Sequence, residues 1–126
     1  MTGDAHEESR DDGDVREALA AEQAELNARV SALTRSMEDI VRASVSANAD
    51  DEHDPEGATI AFERAQVAAL LAQAEAHLTA STEALHRLDA GGYGTCERCG
   101  AAIARERLLA RPTARTCITC AAAGGF

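Results

Sequence analysis

The chain has 126 residues with one Tyr, two Phe and no Trp. That is enough for one modest domain and its tails, but excludes a wide core built on aromatic side chains. A formal net charge of −10 argues against a broad duplex-binding face, because an acidic surface repels phosphates. No apolar run approaches the roughly 18 residues of a membrane span.

The 45% apolar share comes mostly from Ala, the strongest helix former and a weak contributor to burial. An all-α protein with a narrow apolar seam is expected. All twelve basic residues are Arg, which together with the Ala excess reads as codon bias. Charge is uneven: residues 1–56 hold sixteen acids against five Arg, and residues 57–126 hold six acids against seven Arg. The acidic part suits a basic protein surface.

Residues 1–14 are polar, acidic and interrupted by Gly, and are expected to form a disordered tail. The stretch lacks the basic start and apolar run of a secretory signal. Residues 15–90 are expected to form a long antiparallel two-helix hairpin, a coiled coil. In its first arm Leu19, Leu26, Leu33 and Ile40 recur every seven residues, with Val30, Met37 and Ser44 in the offset row. An acidic tip loop spans 48–57, where Pro55 forces Asp54 out of helical geometry and suits the first position of a new helix, with Asp54 as its cap. In the second arm Ile60, Val67, Ala74, Ser81 and Leu88 form one row and Leu71, Leu78 and Leu85 the other, up to the stop at Gly91-Gly92. His77 and His86 lie off both rows and are expected to face water, as is His53 in the loop.

Residues 91–126 are expected to form a small C4 zinc-finger module. The spacing is Cys96-x2-Cys99-x17-Cys117-x2-Cys120. Each pair lets one tight turn present two thiolates, and the spacer lets the second pair complete a tetrahedral S4 site. Gly94 and Gly100 flank the first pair, where the turn needs unusual backbone angles. Such a donor set favours one Zn2+ ion, with iron as the rival, and two separate redox dithiols as the metal-free alternative. With all four positions filled by protein, the ion is structural. Ala101 to Ala110 reads as helix, with Ile103 and Leu108 or Leu109 packing on the site, and Arg111 to Arg115 as a turn. Two Cys-x-x-Cys pairs without an export signal point to a reducing, cytoplasmic location.

The chain resembles the DksA/TraR family of C4 zinc-finger proteins. The resemblance rests on Tyr93-Gly-Thr-Cys96-Glu-Arg-Cys99-Gly100, Leu109-Ala-Arg111-Pro-Thr-Ala and Cys117-Ile-Thr-Cys120. It implies a bacterial transcription regulator that binds RNA polymerase by inserting its hairpin tip into the secondary channel, toward the catalytic magnesium. The family's tip motif is Asp-x-x-Asp-x-Ala. Asp54 falls on its first Asp, Gly57 on its second and Thr59 on its Ala, so the tip departs from the motif while keeping Asp50, Asp51, Glu52, Asp54 and Glu56. The partner-binding candidates are Asp50, Asp51, Asp54, Glu56 and Thr59. Arg111 matches an arginine implicated in binding ppGpp, but Ala80 and Ala121 stand where Lys is expected, and weak or absent binding follows.

No nucleophile–base constellation and no phosphate-cradling Gly loop appears, so no enzyme, no direct nucleic-acid binding and no membrane association is expected. The competing readings are a thiol-based redox or zinc sensor and an acidic helical adaptor for some other basic protein.

Overall fold

A computed structural model describes residues 3–48 and 55–124, with side chains at 12–46 and 57–124. Its order is α1 (Gly3–Asn48), α2 (Pro55–Ala90), α3 (Arg105–Ala110) and α4 (Ile118–Ala122). The fold is an antiparallel pair of long helices followed by a small C4 module, and no β-strand is present among the described residues.

α1 begins at Gly3, ahead of the Val15 start that the heptads suggest. No proline interrupts residues 3–48, and Gly13 alone does not break the helix where its apolar rows stop. α2 opens on Pro55, whose missing N–H costs nothing in a first turn. It ends at Ala90, followed by Gly91 at φ 86° and a hydrogen bond from the Gly92 N–H to the Arg87 carbonyl of 3.0 Å. This is the left-handed glycine stop, which pairs a carbonyl the last turn would otherwise orphan.

The described chain separates into two compact units. The first takes the start of α1 (through Ala24), the end of α2 (from Thr79) and everything after it. Its core is Val15, Leu19 and Ala84, all buried, with Leu85, Leu88 and Tyr93 packed against them. Burying a leucine such as Leu19 contributes about 1.5–3 kcal/mol. Two side-chain contacts fix the direction and register of the helices here. Arg16 Nη1 lies 2.8 Å from Asp89 Oδ1, and Gln23 Nε2 donates to Thr82 Oγ1 at 2.9 Å. Rising numbers on α1 meet falling numbers on α2, which makes the pair antiparallel.

The second unit is Glu25–Leu78. Leu26 and Ala74 are buried. The remaining row positions (Val30, Leu33, Met37, Ile40 and Ser44 on α1; Ile60, Val67, Leu71 and Leu78 on α2) are half-buried. Each row thus turns inward as its seven-residue repeat requires, but two helices alone leave its edges wet. His77 and His86 are exposed.

Candidate metal centre

The site is built from two short segments. In the first, Gly94 at φ 89° and Gly100 at φ 78° bracket a tight turn. The Gly100 N–H donates to the Cys96 carbonyl at 2.9 Å, the Cys96 N–H to Ala101 O at 2.8 Å and the Ile103 N–H to Gly94 O at 2.8 Å. Thr95 and Ala102 form an antiparallel bridge. This pairing corrects the sequence expectation for Ala101 to Ala110. Residues 101–104 are not helical because their backbone groups are engaged across the turn, and α3 holds only Arg105–Ala110. Ile103 is buried as expected, Leu108 is half-buried and Leu109 is exposed.

In the second segment Cys117 is the N-cap of α4. Its Sγ accepts the Cys120 N–H at 3.5 Å, and its carbonyl accepts the Ala121 N–H at 2.9 Å. The helix start thereby sets Cys117 and Cys120 on one side. The segments are tied together by the Glu97 N–H donating to Arg115 O at 2.9 Å.

The four Sγ atoms all lie within 4.8 Å of one another, and Cys99 and Cys117 are 3.8 Å apart. A tetrahedron with Zn–S bonds of about 2.3 Å has edges of about 3.8 Å. A disulfide would need about 2.05 Å, and all four cysteines are free. Cys96 is buried, Cys117 and Cys120 are half-buried and Cys99 is exposed. Backbone hydrogen bonding, from Cys117 first and then Cys99, lowers the Cys96 thiol to about 6. Hydrogen bonding with Cys117 and desolvation push Cys120 up to about 12. Four sulfurs this close cannot all ionise against one another. A dication at their centre resolves the conflict, and the donor set fits one structural Zn2+ held by Cys96, Cys99, Cys117 and Cys120.

The family model described as "Prokaryotic dksA/traR C4-type zinc finger" matches residues 91–123. The solved structure of transcription factor DksA2 from Pseudomonas aeruginosa is similar over 90% of this chain and 82% of that one, with a TM-score of 0.75 and 28% identity. Residues 91–123 are thus a DksA/TraR-type C4 zinc finger, carried on a fold like that of DksA2. A protein of Aquifex aeolicus (strain VF5) is 50% identical over 38 residues, which are 30% of this chain and 26% of that protein. The chain therefore matches about a quarter of the length of that curated relative.

The cysteines are only part of what holds this module together. Arg115 donates to Glu97 Oε1 (3.0 Å), between the first two cysteines, and to Glu83 Oε2 on α2 (2.9 Å). Tyr93 OH donates to Pro112 O at 2.7 Å, Arg107 Nε to Thr116 O at 2.9 Å and Arg87 Nη2 to Thr113 O at 3.5 Å. The sequence marks the Ala-Arg-Pro-Thr-Ala stretch without saying what it does. Here its carbonyls are the acceptors that anchor the module on α2 and Tyr93. The Arg115–Glu97–Glu83 contacts carry no local sequence signal, since the partners lie far apart in the chain.

The remaining candidates are placed as follows. Asp50, Asp51, Glu52, His53 and Asp54 lie outside the described residues, as does the side chain of Glu56. Thr59 is exposed near the start of α2. Arg111 is exposed at the C-cap of α3, its N–H donating to Arg107 O at 2.7 Å. Ala80 and Ala121 are half-buried. No helix among the described residues is long and apolar enough to cross a membrane.

Proposed function

We propose that this chain is a transcription regulator that docks on RNA polymerase and places the loop end of its helical hairpin in the polymerase secondary channel. The supporting observation is the likeness, over nine-tenths of the chain, to a structure described as a transcription factor. The closed four-cysteine site supports a binding role over a catalytic one, because a structural zinc leaves no position open for water or substrate. On this reading Asp50, Asp51, Asp54, Glu56 and Thr59 meet the polymerase, and the zinc module supports the helices that carry them.

The experiment is capture of core RNA polymerase by the zinc-loaded chain, with and without a competing secondary-channel protein. Capture that the competitor abolishes and that Asp54→Ala weakens is the expected result. No capture at moderate salt refutes the reading. At Arg111, labelled ppGpp titrated into the polymerase complex is expected to bind no more tightly with wild type than with Arg111→Ala. Binding that needs Arg111 overturns that expectation.

The exposure of Cys99 favours a second reading, a thiol-based sensor whose zinc is released on oxidation. Zinc release followed with a chromogenic chelator under mild peroxide tests it. Full metal retention refutes it.

A further inference from the structure

The two cysteine pairs lie on segments seventeen residues apart, and each pair by itself offers only half of a tetrahedral cage. A bound ion leaves as one half draws away from the other. Contacts that tie the halves together outside the cage therefore govern how long it stays. Arg115 makes such a tie twice. Its carbonyl accepts the Glu97 N–H at 2.9 Å, and its Nε donates to Glu97 Oε1 at 3.0 Å. Glu97 directly follows Cys96, and Arg115 lies two residues before Cys117. The pairing thus bridges the two segments just beside their sulfurs.

The same guanidinium also reaches out of the module. Arg115 Nη1 donates to Glu83 Oε2 at 2.9 Å. Glu83 is on α2, thirteen residues before Cys96, and its neighbour Ala84 is fully buried in the helical core. A side chain on a packed helix is a firmer anchor than one on a turn. One planar fork therefore joins a carboxylate of the first cysteine segment to a carboxylate of the hairpin, and its own backbone carries the second segment.

We infer that Arg115 is a positioning residue for the zinc site and that, through Glu83, the second long helix slows release of the metal. Neither residue supplies a donor atom to the four-sulfur cluster. Groups that stand behind metal ligands typically change affinity about tenfold to a hundredfold. Here all three side chains are nearly half exposed, so water and salt screen the pairs and a smaller factor follows. Cys99 is exposed and Cys117 and Cys120 are half-buried, which lets a competing ligand reach the sulfurs while the helices stay paired.

The test follows zinc transfer from full-length, reduced, zinc-loaded protein to an excess of chromogenic chelator. Arg115→Ala is expected to release the metal about fivefold faster and Glu83→Gln about threefold faster. Their combination releases it no faster than Arg115→Ala alone, because both cut one chain of contacts. Raising salt to about 1 M brings wild type toward the Arg115→Ala rate. Arg98→Ala removes an exposed cation between Cys96 and Cys99 and stays within about twofold of wild type. Wild-type release from Glu83→Gln overturns the inference, as do additive effects in the double variant. Equal acceleration in Arg98→Ala overturns it too, because nearby positive charge is then the cause. A helical urea midpoint that falls in Glu83→Gln in step with its faster release also overturns it, since general loosening then explains the loss.

Discussion

Replacing Ser81 with alanine should make the protein more stable. Ser81 is fully buried and its Oγ has no hydrogen-bond partner among the described residues. A buried hydroxyl left unpaired costs about 1–3 kcal/mol. Alanine is also the better helix former by about 0.5 kcal/mol. Against this, the missing oxygen leaves a void near the size of a hydroxyl, worth about 0.3 kcal/mol at roughly 24 cal/mol per Å3. The net expectation for Ser81→Ala is a gain of about 1–3 kcal/mol. At about 4 °C per kcal/mol for a chain of this size, Tm rises by about 4–12 °C. The assay is thermal and urea unfolding of zinc-saturated protein followed by helical circular dichroism, with the urea midpoint expected to rise at unchanged slope. An unchanged or lower midpoint would show that the hydroxyl is paired or that its volume matters more than its polarity.

Stripping the metal with EDTA from reduced protein should lower Tm and unfold residues 94–122, whose buried residues are few, while the Val15–Leu19–Ala84 cluster keeps the helices paired; absence of stoichiometric metal in the purified protein would sink this expectation. Tyr93 has its pKa raised by burial, opposed by Arg87 and assisted by Asp12. A group raised in the folded state contributes stability that is complete below its unfolded value of 10.0 and is lost as pH climbs through the folded value. Wild type should therefore lose stability above that pH relative to Tyr93→Phe, and parallel pH curves for the two proteins would refute the assignment. Arg115→Ala breaks contacts to Glu83 and Glu97 whose side chains are nearly half exposed. A loss of no more than about 1 kcal/mol is expected, shrinking further in about 1 M salt, and a salt-independent loss of several kcal/mol would contradict it.

Much of the fold can be read from spacing. Leu19, Leu26, Ala74 and Ser81 lie on the seven-residue rows and are buried, because a helix of fixed pitch turns such rows to one side. Val15 and Ala84 lie off those rows yet are buried, since Tyr93 and the module after it widen the covered face at that end. That widening comes from residues distant in sequence, and no local pattern carries it. The four cysteines were legible for a similar reason to the rows: two thiolates per turn is a local geometry. Residues 101–104 were not, because alanine's helix preference is overridden there by backbone pairing with residues 94–96. The hydrogen bonds that seat the module, such as Arg107 to Thr116, join side chains to distant carbonyls and leave no periodic trace.

The chain's lone tyrosine, with no tryptophan to outshine it, sits where the second long helix hands over to the metal-binding turns. Its ring lies against the leucine cluster and its hydroxyl on the Pro112 carbonyl. Ultraviolet emission from the native protein is therefore a single-residue optical signal. It should track the seating of the zinc module without any label, blind to events elsewhere along the helices.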